Sequence, residues 1–146
     1  MSRTLRVCNL EDWFAGGERK EKFVQTLGDA LKDIGFFALS GHGISKENID
    51  ASYETIEQFF NLDQTTKNSY ENTEIARQRG YTPYGIEHAK DNPEPDLKEF
   101  WQTGRTLADD HPKKEEFHSN IWPGGVDGFE NSIDGLFDAM EQVGSE

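Results

Sequence analysis

A chain of 146 residues is long enough for one compact domain and short for two. Its 15 Lys and Arg stand against 28 Asp and Glu, a formal net charge of -13 that repels phosphate backbones and anionic lipid headgroups, which argues against nucleic-acid and membrane-surface roles. Cys8 is the single cysteine, so no internal disulfide can form, and no apolar run reaches the length of a signal peptide or membrane span; a soluble, cytoplasmic protein is expected.

Leu, Ile, Val and Phe make up only about a fifth of the residues, a thin core for this length and a first sign of a piece whose packing partner is missing. Thr4 to Leu10 alternates loosely about Leu5, Val7 and Cys8 and predicts a short strand ended by Glu11 and Asp12. From Glu18 to Ile34, Phe23, Leu27, Leu31 and Ile34 recur at helical spacing, and Gly35 supplies the left-handed residue that stops such a helix. Phe36 to Ser40 reads as a buried strand closed by Gly41 and Gly43. Ser45 is an N-cap for a second helix with Ile49, Tyr53, Ile56 and Phe60 on one face, expected to pack on the first. Asp63 caps a further turn through Lys67. Pro83, Gly85, Pro93 and Pro95 predict an irregular loop between Gly80 and Asp96, and Leu97 to Thr103 predicts a strand. After a charged stretch comes a last helix striped by Phe129, Ile133, Leu136, Phe137 and Met140, with nothing after it to cover the stripe.

Few residues suggest chemistry by themselves. His111 and His118 bracket Glu115 and Glu116 near Asp109 and Asp110, a set that could hold an adventitious divalent ion, but without the ligand spacing of a built site; a solvated acidic loop is the favoured reading. Cys8 with a histidine could act as nucleophile and base, yet a small strand residue explains it better. Gly41 and Gly43 lack the pattern of a phosphate loop and are explained by a turn.

The string DIGFFALSGHGI, Asp33 to Ile44, resembles the signature near the start of isopenicillin N synthase-like oxygenases, which use Fe(II) and 2-oxoglutarate. Four segments follow in that family's order: QFFNLDQTTK from Gln58, RGYTPYGIEHAK from Arg79, PDLKEFWQTGR ending at Arg105, and NIWPGGVDGF from Asn120. The resemblance implies an α+β fold, a single non-haem dioxygenase N-terminal domain over residues 1–146 that wraps a double-stranded β-helix, or jelly-roll, catalytic core absent from this chain. It implies Arg79, Tyr81 and Tyr84 as substrate-binding contacts, with ordinary packing as the alternative, and gives His42 a turn role. The family's iron clamp begins with HxD or HxE. Here the residues two beyond His42, His88, His111 and His118 are Ile44, Lys90, Lys113 and Asn120, and no Arg is followed two positions on by the Ser that would grip 2-oxoglutarate.

No residue is therefore assigned a catalytic or metal-ligating role, and neither Fe(II) nor 2-oxoglutarate is expected to be held by this chain alone. The expected function is the substrate-side domain of such an oxygenase, not competent for oxidation by itself. Its expected partners are the missing catalytic domain, a complementary chain or a second copy, with a small-molecule substrate in the full enzyme. The rivals are a standalone interaction module derived from that domain and an unrelated enzyme built on the loop from Arg79 to Lys90. Titration of the purified chain with Fe(II) should show no stoichiometric site of micromolar affinity, because its histidines lack the spacing a facial site requires; such a site would contradict the reading.

Overall fold

A computed structural model of the chain describes residues 4–146. They fall into two compact units, the first ending at Ile44 and the second running from Ser45 to Glu146. Among the described residues no helix is long and apolar enough to cross a membrane.

In the first unit β1, Val7–Asn9, pairs in parallel with β2, Ala38–Ser40, in the register Val7 to Ala38, Cys8 to Leu39 and Asn9 to Ser40. The predicted strand from Thr4 thus keeps only its centre, because Leu10 already opens a helix, α1, Leu10–Ala15. Asn9 makes that switch: its Oδ1 accepts the Glu11 N–H at 3.1 Å, and Glu11 and Asp12 complement the positive end of the helix where strand-ending residues were expected. Gly16, at φ 70°, separates α1 from α2, Gly17–Asp33. The two helices are stapled by the Trp13 and Phe23 rings, 6.2 Å apart, by Lys20 Nζ 3.5 Å over the Trp13 ring, and by Arg19 Nε donating to Asp12 at 2.7 Å. Phe23 and Ala30 form the buried line of α2, whereas Leu31 is exposed. Gly35 ends it as predicted, at φ 80°, donating its N–H to Ala30 O.

The second unit opens with α3, Lys46–Phe60, capped by Ser45 Oγ on the Asn48 N–H at 3.2 Å. Its partner within the unit is α5, Phe129–Gly144. The fully buried line is Ser52, Thr55 and Phe59, with Ile56 and Phe60 at its margin and Tyr53 70% exposed. An apolar-stripe reading passes over Ser52, yet this residue sets the packing. Its hydroxyl lies 2.9 Å from Asn48 O and 3.0 Å from Ser132 O, a contact to both helices that a larger side chain would block. The first turns of α5 are covered too: Phe129 is in the core, Ile133 packs beside it, Leu136 and Phe137 are half-buried, and only Met140 of the stripe is exposed. The uncovered stripe expected from the sequence is therefore largely filled by α3 and the core.

Between the helices lie α4, Gln64–Asn68, capped by Asp63, and an antiparallel pair, β3, Gly80–Thr82, with β4, Phe100–Gln102. β3 falls where an irregular loop was predicted, three residues being too few for an alternating pattern to register. Gly80 has to be glycine: φ is 83°, and a Cβ there would run into Tyr70 O. The core gathers on the Phe59 ring, whose centroid lies 4.7 Å from Trp101, 5.8 Å from Tyr81, 5.8 Å from Phe129 and 6.0 Å from Tyr70. Phe59→Ala should lower stability by about 3–5 kcal/mol in urea unfolding, whereas Tyr53→Ala should stay within about 0.5 kcal/mol. Equal losses at the two positions would mean that the buried face of α3 is misassigned.

Candidate functional site

On the β3–β4 pair side chains alternate between faces, so Tyr81, opposite Trp101, shares a face with Glu99, one step before β4. That geometry carries the Tyr81 ring into the Phe59 cluster and leaves its hydroxyl at the cluster's edge, where it donates to Glu99 Oε2. The same carboxylate is gripped from α4 by Lys67 Nζ, 3.1 Å from Oε1 and 2.9 Å from Oε2. Lys67 also donates to Phe60 O at 3.3 Å, and Gln64 Nε2, one turn earlier, donates to the Tyr81 hydroxyl at 3.0 Å and to Asn68 Oδ1 at 2.8 Å. Lys67 and Glu99 keep only 7% and 12% of their side-chain surface, so this is a buried ion pair with its hydrogen-bonding capacity largely used.

The electrostatics follow from that closure. Burial, reinforced by the hydrogen bond to Glu99, pushes the Tyr81 phenol up to about 12. For Glu99, burial works to raise the pKa, but the bonds from Tyr81 and Lys67 and the Lys67 charge overcome it and hold the carboxyl below its ordinary value; Tyr84 assists. At neutral pH Glu99 is therefore a carboxylate and Tyr81 a neutral phenol.

Of the three residues expected to contact substrate, Tyr81 hydrogen-bonds this carboxylate, and neither Tyr84 nor Arg79 does. Tyr81 is fully buried, while Tyr84, just beyond β3, is 56% exposed. Arg79 is half-buried with its guanidinium laid against Gly104, where a Cβ would collide with it; Nη1 donates to Gln78 O at 2.7 Å, and Nε is buried without a partner. Lys67, Glu99 and Gln64 were not singled out from sequence. The available signal was the alternation that puts Glu99 on the same face as Trp101, a buried address for a charge that calls for a counterion.

The other candidates separate. His42 Nδ1 accepts the Ile44 N–H at 3.1 Å and shapes the turn after β2. In the acidic stretch His111 Nδ1 accepts the Lys113 N–H and Lys114 pairs with Asp109 at 3.2 Å; among the described residues no three His, Cys, Asp or Glu side chains form a group fit for a metal ion. Burial pushes the Cys8 thiol up against a smaller opposing effect of Arg6, which disfavours the thiolate a nucleophile needs. A cleft of about 190 Å³ opens between Arg105, Leu107, Lys114, His118, Trp122 and Glu130, but Arg105 is tied to Glu141 and Lys114 to Asp109 and Leu107 O, so its cations are already engaged.

The chain matches the family described as non-haem dioxygenase in morphine synthesis, N-terminal, over residues 5–125. It is 34% identical over 116 residues to the 2-oxoglutarate-dependent dioxygenase tropC of Talaromyces stipitatus, covering 77% of this chain and 36% of that protein. To a 2-oxoglutarate-Fe(II) type oxidoreductase of Aspergillus fumigatus it is 32% identical over 117 residues, covering 77% and 35%. Among solved structures, a 2OG-Fe(II) oxygenase family protein of Caulobacter crescentus superposes with a TM-score of 0.80 at 29% identity, over 98% of this chain and 46% of that one. A full-length Neurospora crassa protein in complex with alpha-KG superposes at 0.75 and 23% identity, a likeness of fold, over 95% and 44%. The chain thus spans little more than a third of the curated relatives it matches.

The Tyr81 shift has a consequence for stability. An unfolded phenol ionises near ~10, so between that pH and about 12 the unfolded chain binds fewer protons than the folded one and stability falls as pH rises. The whole effect is on the order of 2–3 kcal/mol. Melting temperature followed across this range should decline less steeply for Tyr81→Phe than for the parent; equal slopes would place the ionisation elsewhere.

Proposed function

Because the chain belongs to the family of non-haem dioxygenase N-terminal domains, we propose that it forms the substrate-side part of an Fe(II)/2-oxoglutarate-dependent oxygenase, wraps a double-stranded β-helix core, and does not oxidise substrate by itself. The observation that carries this reading is the match over residues 5–125, together with relatives that are 2-oxoglutarate-dependent dioxygenases and of which the chain spans 36% and 35%. The histidine nitrogens described above serve turns, and no described cluster suits a metal, so these residues do not fit the Fe(II) that such enzymes use and no reaction step is derived from them.

What these residues can supply is binding and orientation. Tyr84, just beyond β3, is exposed and offers a ring face and a hydroxyl to a small molecule. Arg79 offers a guanidinium braced on Gly104. Tyr81, fully buried, supports the site without touching a ligand. The partner is the catalytic segment, carried on the same polypeptide or on a complementary chain. A standalone interaction module is the second reading, favoured by the exposed Val7 and Phe36 around β1 and β2, which among the described residues pair only with each other.

The chain alone should form no succinate from 2-oxoglutarate above a protein-free control, while a chimaera joining it to the catalytic part of the tropC protein should form succinate. In that chimaera Tyr84→Ala should raise KM for the organic substrate about tenfold with kcat nearly unchanged, the pattern of lost uniform binding. Turnover by the chain alone would overturn the proposal, and an inactive but folded chimaera would favour the interaction module.

A further inference from the structure

The segment from Pro83 to Lys98, between β3 and β4, is a self-braced arm. His88 and Pro95 form an antiparallel bridge, Asp96 N–H donates to Glu87 O at 2.7 Å, and Lys98 Nζ lies 3.1 Å from Glu87 and 3.1 Å from Asp96. At the tip Asn92 Oδ1 accepts the Glu94 N–H at 3.0 Å, and Asp91 turns the chain at φ 65°. Every one of these bonds stays inside the arm. Nearly all of its side chains are exposed, Leu97 at 91%, so burial adds little to hold it. At the arm's outgoing root Glu99, which follows Lys98 directly, takes two side-chain contacts from the rest of the second unit, Lys67 from α4 and Tyr81 from β3; at the incoming root, besides the short β3–β4 ladder, Tyr81 N–H donates to Tyr70 O at 3.1 Å.

We propose that Lys67 and Glu99 are positioning residues: with Tyr81 they form a buried lock that fixes how the arm, and Tyr84 on it, is presented, while the helical core of the unit stands without them. The functional meaning rests on the substrate-side reading of Tyr84; the mechanical claim does not. The physical reason is a contrast in attachment. α3 and α5 are joined by the Phe59 cluster and the Ser52 contact, which meet the ion pair only at the edge, through the Tyr81 hydroxyl on Glu99 and Lys67 Nζ on Phe60 O. The arm leaves a ladder of only three residue pairs, and two strands so short set the angle of a long excursion poorly. A carboxylate gripped through both oxygens by a buried ammonium, with a phenol on Oε2, removes that freedom because any swing of the root would leave charges buried and unpaired.

Hydrogen exchange read by mass spectrometry, on the whole chain and without any substrate, tests the lock. Lys67→Met alone strands the Glu99 carboxylate and can unsettle the fold, so the decisive variant is the double change Lys67→Met/Glu99→Met, which fills the site with apolar volume and leaves no orphan charge. In it, amides of the arm's root, residues 80–82 and 99–102, should exchange at least about tenfold faster than in the parent while those of α3 and α5 keep their protection. Unchanged protection of the root would overturn the proposal. So would faster exchange in the root and both helices together, because the pair would then be a support of the core. Failure of the substrate-side reading has a separate signature, a Tyr84→Ala chimaera with unaltered KM, and leaves the exchange result standing.

Discussion

Phe59 stands where the elements of the second unit meet. One ring, at the last turn of α3, is packed edge to face or tilted against Phe60, Tyr70, Tyr81, Trp101 and Phe129, and so fastens α3 to the Tyr70 segment, to both strands and to α5. With so few aliphatic residues in the chain, aromatic area substitutes for the usual Leu and Ile core, since each large ring buries more surface and gains from edge-to-face geometry. The arrangement also dictates where polarity can go. Tyr81 enters the cluster as a ring and leaves it as a hydroxyl, and that hydroxyl seats Glu99 and through it Lys67. The ion pair is thus held at the edge of an apolar cluster, with Lys67 Nζ 5.8 Å from the Tyr81 ring, in surroundings where an unpaired charge would be costly and a paired, hydrogen-bonded one is specific.

The first unit also gives single residues several roles. Asn9 ends β1, caps α1 through Glu11, and occupies the space that a Cβ on residue 41 would need. The first glycine of the GHG turn is consequently required by contact as well as by its φ of 65°, and the motif that most marks this sequence is a packing device between a helix cap and the exit of β2. His42 belongs to the same turn. The motif therefore marks the family through the folding physics of this turn.

The chain belongs to the dioxygenase N-terminal family, and among its described residues no three His, Cys, Asp or Glu side chains form a group fit for a metal ion. Its one buried ion pair among the described residues stands beside the β3–β4 pair, where an exposed Tyr84 and a braced Arg79 lie close in sequence to Tyr81. The remaining charge is spread over the surface, where exposed pairs such as Lys46 with Asp50 contribute little to stability.

Sequence alone determined what depends on near neighbours. The helices around Leu27 and Ile56 and the final helix follow from 3.6-residue spacing; Ser45 and Asp63 cap because their oxygens meet N–H groups three residues on, and Gly35 stops α2 by its own backbone freedom. The family was legible as well, in five short segments kept in order. The tertiary structure decided the rest. Which line of α3 is buried depended on Ser52 meeting Ser132, 80 residues away, and no hydrophobic pattern records a hydroxyl that packs by being small. β3 exists because Phe100–Gln102 lies beside it, being too short to declare itself by alternation. Lys67 and Glu99, each ordinary in a charged chain, are 32 residues apart and acquire their role only when Tyr81 and the Phe59 cluster take water away from them, since a charge pair is worth little until it is desolvated and held.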